Sequence, residues 1–114
     1  MKLIKEDFTI KDWDVEAQTG YKPMTTYYTD FSIADNFGVS AIKDTYKRAM
    51  EFAETNYKLL TELVMVLNWK LWEHYRAGNR ELSRLYDNLW GQADSYALDT
   101  LKDEELSYFL NVTD

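Results

Sequence analysis

Residues 39–77 read VSAIKDTYKRAMEFAETNYKLLTELVMVLNWKLWEHYRA, a run of 39 residues with neither glycine nor proline. Val39, Tyr46, Ala53, Leu60, Leu67 and His74 recur every seven positions along it. Met50, Tyr57, Val64 and Leu71 fall four residues after members of that series, and Ile42, Ala49 and Leu63 fall three after. A repeat of this period keeps one apolar seam on one side of a helix. The seam stays in phase across Thr55-Asn56, so the pattern predicts one long central helix over about 39–77, or two nearly coaxial ones. At 1.5 Å per residue, a continuous helix would run roughly 55–60 Å. A globule of this size has a radius of gyration near ~13 Å, so such a rod needs covering by the returning chain or by a second copy.

The chain does return. Gly78-Asn79 reads as a helix stop followed by an N-cap. Leu82, Leu85, Tyr86, Leu89, Ala93, Tyr96 and Ala97 then follow at helical spacing, which predicts a returning helix over about 80–98. Gly91 inside it costs about 1 kcal/mol relative to Ala unless packing requires it. Asp103-Glu104-Glu105 opens a short C-terminal helix over about 103–110, carrying Leu106, Phe109 and Leu110. The expected fold is all-α: an antiparallel helical hairpin forming the body over 39–114.

Residues 1–38 are different material, with the only proline, two of the four glycines and seven aromatics. In 9–18, alternation of Trp13, Val15 and Ala17 with acids suggests a strand. A Thr9-to-Asp12 capping pattern and Gly20 suggest a short helix, which is the reading favoured here. Tyr21 to Thr29 is β-branched and aromatic around Pro23 and reads as an extended stretch lying on the helical body. Ser32 caps a single turn that puts Ile33 and Phe37 on one face. The aromatic N-terminal segment and the hairpin body together make one domain.

Composition narrows the function. With 114 residues, 13 basic and 20 acidic groups, the formal charge is −7. No cysteine is present, which excludes disulfides, thiol catalysis and cysteine–zinc sites. Residues 79–114 hold three basic and eight acidic groups, net −5, and no clustered Lys or Arg marks a direct nucleic-acid interface. The N-terminus lacks the apolar core of a secretory signal. The most apolar run, Leu59 to Trp72, is too short and too polar to cross a bilayer. The expected location is the cytoplasm, with no membrane partner.

No catalytic constellation emerges. His74 has Lys70, Leu71, Ala77 and Gly78 at the helical neighbour positions, so it reads as a histidine near a helix C-terminus rather than a metal ligand. None of the five serines lies in a Gly-x-Ser-x-Gly elbow. The glycines are scattered singly, without a phosphate loop. Asn111-Val112-Thr113 matches a glycosylation sequon that has no meaning without secretion. The expectation is a non-enzyme with no catalytic residue, no metal and no cofactor.

Two surfaces are candidates for binding. A helix apolar nearly all round must be buried nearly all round. Leu59, Leu63, Val66, Asn68, Trp69 and Trp72 therefore read either as internal core or as an interface through which the central helix self-associates, giving a homodimer. Asp87, Asp94, Asp99, Asp103, Glu104 and Glu105 form a candidate acidic surface.

The segments Asp30-Phe-Ser-Ile-Ala-Asp-Asn-Phe-Gly38, Asp44-Thr-Tyr-Lys-Arg-Ala49, Tyr57 to Asn68 and Glu105-Leu-Ser-Tyr-Phe109 resemble small uncharacterised proteins carried on conjugative transposons and prophages of gut bacteria. The resemblance covers about 20–110. It implies a bacterial cytoplasm and an accessory role on a mobile element, with a host or element-encoded protein as candidate partner; the family carries no established activity to transfer. The resulting expectation is a non-catalytic interaction module. The alternative is an acidic DNA mimic that inhibits a host nuclease or restriction enzyme.

Overall fold

The computed structural model describes residues 23–113, which form five α-helices and no strand. They are α1 (Pro23–Asp35), α2 (Val39–Ala53), α3 (Tyr57–Arg76), α4 (Arg80–Thr100) and α5 (Asp103–Thr113). The short helix expected over 9–18 lies outside the described residues.

The predicted continuous helix over 39–77 does not form, because the chain breaks at Glu54-Thr55-Asn56 between α2 and α3. Asn56 adopts an extended backbone, and its side chain accepts hydrogen bonds from the N–H groups of Lys58 (2.9 Å) and Leu59 (3.4 Å). Thr55 Oγ1 donates to the Phe52 carbonyl at 2.8 Å and closes the preceding turn. The heptad positions concealed this cap. Ala53, Leu60 and Leu67 are buried as the repeat demands, but on two helices that pack against each other. The fold is accordingly not a rod: its extents are 37 × 26 × 26 Å and its radius of gyration 13.2 Å.

The extended stretch expected at 21–29 is corrected over 23–29, residues 21 and 22 lying outside the described residues, and so is the single turn after Ser32. From Pro23 onward the chain is helical through Asp35, and proline is well tolerated in a first helical turn. Tyr27, Phe31 and Ala34, spaced i, i+4 and i+7, form the buried stripe of α1. Ile33 and Phe37, expected on one face, line one recess and are 54% and 77% exposed.

Helix α3 is the axis of the molecule, contacting all four other helices. Its residues from Leu59 to Leu67 are buried without interruption. Four neighbours of the same chain supply the covering that the all-round apolar pattern required. Each large side chain so buried contributes roughly 1.5–3 kcal/mol.

At the far end of α3, Gly78 takes a left-handed backbone (φ 79°). Its N–H bonds the Tyr75 carbonyl at 3.1 Å, and the Asn79 N–H bonds the His74 carbonyl at 2.9 Å. This pairing is a Schellman stop. Asn79 then caps α4 by accepting from the Leu82 N–H at 3.3 Å. Helix α4 runs two residues past its expected end, to Thr100, and α5 runs to Thr113 rather than 110.

Candidate functional site

Seven polar or ionisable side chains converge where α1, α3 and α4 meet. Lys70, in the middle of the apolar face of α3, has a fully buried side chain. A buried ammonium is costly unless paired and hydrogen-bonded, and Lys70 is both. Its Nζ lies 2.7 Å from Asp35 Oδ2 on α1 and 2.8 Å from Glu73 Oε2 one turn along α3. It also donates to Ser32 Oγ at 3.1 Å and sits 5.0 Å from the centre of the Tyr28 ring.

Each carboxylate has further partners. Asp35 Oδ2 is 2.8 Å from His74 Nε2, and Asp35 Oδ1 accepts from the Tyr86 hydroxyl at 2.5 Å. Glu73 Oε1 accepts from the Tyr28 hydroxyl at 2.6 Å. The His74 ring stacks on Tyr86 with 5.5 Å between centres and 6° between planes. His74 is therefore more than a histidine near a helix end: its ring nitrogen meets a carboxylate from a helix distant in sequence.

These contacts act on proton affinities. Burial, then the hydrogen bond to Glu73, pushes the Tyr28 phenol up to about 12. Burial and the bond to Asp35 push Tyr86 higher still. For Glu73, burial alone would raise the carboxyl. Hydrogen bonds from Lys70 and Tyr28, with the charges of Lys70 and His74, outweigh it and hold the group below its ordinary value.

Asp35, Glu73 and His74 each offer a ligand atom within 4.8 Å of the others. The Lys70 ammonium already bonds oxygens of both carboxylates, so a metal ion entering there would have to displace it. The cluster's chemistry is that of a fastening: one ammonium holds two carboxylates, and the contacts tie α1 to α3 and α4.

Recesses open to solvent at several places, among them one of about 340 Å³ lined by Tyr75, Arg80, Ser83 and Arg84 and two more. One, of about 450 Å³, lies between α1 and α2 and is lined by Asp30, Ile33, Phe37, Ala41, Asp44 and Arg48, with Ala34 and Thr45 beneath. A smaller hollow next to it shares Asp30, Thr45 and Arg48 and adds Phe52. The other, of about 320 Å³, is bounded by Val64, Met65, Asn68, Trp72, Trp90 and Asp94, with Thr113 of α5 at its edge.

The predicted site residues divide accordingly. Leu59, Leu63 and Val66 are 4%, 0% and 0% exposed, inside the chain's own core, and so offer no surface for self-association. Trp69 is half-buried and meets the Tyr28 ring edge-on at 5.6 Å. Asn68 and Trp72 line the second recess. Of the acidic set, Asp94 lines that recess and the others are exposed. Asp87 and Asp94 share a face of α4, Asp99 lies about 120° around the helix, and Asp103, Glu104 and Glu105 occupy the first turn of α5. They do not form one row.

Sequence reasoning missed Asp35, Lys70, Glu73, Tyr28 and Tyr86. One signal was available: a lysine flanked by Trp69 and Leu71 in a helix apolar on all sides requires a counter-charge from elsewhere. No known protein family, curated protein or solved structure matches this chain.

Proposed function

We propose that this protein is a non-catalytic interaction module that self-associates through its α1–α2 face, not through its central helix. The observation that carries this reading is the exposure of Ile33 (54%), Phe37 (77%) and Phe52 (51%) around two adjoining recesses that share Asp30, Thr45 and Arg48. Large apolar side chains gathered on one face are a feature of interface cores, and aromatics and Arg are enriched there.

A second copy is the occupant favoured by charge. The recess carries Asp30 and Asp44 together with Arg48. In a two-fold arrangement the same patch meets itself, so Arg48 of each copy can face the aspartates of the other. Phe37, standing out beside Gly38, is the side chain to enter the opposite recess. The saturated Lys70 cluster supports a non-catalytic reading, since its charges are already engaged with one another.

Light scattering at about 100 μM tests the proposal. The expected mass is twice the chain's 13.5 kDa. Phe37→Ser and Arg48→Asp each return it to the single-chain value. Mixing Arg48→Asp with an Asp30→Arg, Asp44→Arg chain restores a heterodimer. A wild-type chain that stays at single-chain mass, or a Phe37→Ser chain that still pairs, overturns the reading.

A further inference from the structure

The recess between α3 and α4 is built differently from the rest of the surface. Each helix contributes one indole and one polar group at i, i+4 spacing: Asn68 and Trp72 from α3, Trp90 and Asp94 from α4. Val64 and Met65 complete an apolar wall. Its volume, about 320 Å³, is at the lower end of the range for small-molecule sites, about 300–1,000 Å³.

We propose that this recess binds a small organic cation, an alkylated ammonium of choline size, against the indoles of Trp72 and Trp90, with Asp94 as its counter-charge. Among the described residues, no Lys, Arg or His lines the recess. Burial raises the Asp94 carboxyl above its ordinary value. A carboxylate so placed is incompletely solvated and gains from a positive ligand. The indole face is the best of the aromatic faces for cations, and quaternary ammonium groups are the ligands that such faces characteristically take. The Asp94 carboxylate, the Asn68 amide and the Thr113 hydroxyl together offer fewer oxygens than the six to eight a calcium ion takes. The site is separate from the α1–α2 recess, so its test does not depend on self-association.

The test is a titration of the isotope-labelled full chain with choline chloride, followed by the indole N–H signals in two-dimensional NMR at matched ionic strength. Saturable shifts are expected for Trp72 and Trp90 but not Trp69, with a dissociation constant of about 1 mM. Asp94→Asn weakens binding at least about tenfold, Trp90→Leu also weakens it, and the neutral carbon isostere dimethylbutanol gives no saturable shift. Equal binding of that isostere, an unchanged affinity in Asp94→Asn, or no saturable shift with choline each overturns the proposal. The isostere comparison needs no variant, so it stands even if a substitution impairs folding.

Discussion

Lys70 Nζ and Asp35 Oδ2 are 2.7 Å apart, and this ion pair joins α3 to α1 from inside the protein: the lysine side chain is fully buried, while 12% of the Asp35 side chain meets solvent. Glu73 completes the bridge from the wetter side, at 43% exposure. Breaking a buried pair by deleting one partner strands the other.

Lys70→Met should therefore be costly despite its conservative volume. It leaves Asp35 and Glu73 facing each other without their shared cation, and the expected loss is about 3–5 kcal/mol. Asp35→Asn should cost less, because Lys70 keeps Glu73. Urea unfolding of both variants checks this order. A loss under about 1 kcal/mol for Lys70→Met would mean that water screens the cluster as it does a surface pair.

Stability should fall off at both ends of the pH scale. Glu73 binds its proton less tightly in the folded protein than at its ordinary value of 4.5. Its contribution is present above that value and is lost as acidity increases through the folded-state value. Tyr28 and Tyr86 act at the other end. Unfolded phenols release protons near 10, whereas folded Tyr28 holds its proton to about 12 and Tyr86 beyond that. The unfolded state is then the one binding fewer protons, so stability declines as pH rises above 10. Asp30 and Asp94, raised first by burial, oppose Glu73 in acid. The informative measurement is hence a difference: Glu73→Gln should flatten the acid limb of the wild-type profile, and Tyr28→Phe the alkaline limb.

Gly91→Ala should stabilise the protein by roughly 0.5–1 kcal/mol. The glycine lies inside α4, and a Cβ placed there would meet nothing within 4 Å. Thermal unfolding gives the readout, with an upward shift expected. A downward shift would show that the missing side chain is needed after all.

The parts of the fold legible in the sequence were those whose signals are local. Gly78 and Asn79 mark the end of one helix and the cap of the next, and both perform those roles through bonds spanning only a few residues. Leu82, Tyr86, Leu89, Ala93 and Ala97 are buried as their spacing implies. The break at Asn56 was hidden because packing between α2 and α3 buries the heptad positions as well as a continuous helix would. Helix α1 was misread because β-branched and aromatic composition around Pro23 outweighed the Tyr27–Phe31–Ala34 stripe, which tertiary packing then decided.

Less of the site was legible. Asn68 and Trp72 were found from their place in an apolar run, but their counterparts Trp90 and Asp94 were not joined to them, since nothing in a linear pattern relates residues on separate helices. The same holds for Asp35 and Tyr86, which meet across 51 residues.

That separation bears on how the chain is born. Synthesis proceeds from the N-terminus, so Asp35 emerges well before Lys70 and Tyr86 have been made. Until they follow, the Tyr27, Phe31 and Ala34 stripe has only α2 to rest on. The ribosome extrudes a helix with one of its two main neighbours still untranslated, and the tie at Asp35 closes only when Tyr86 arrives.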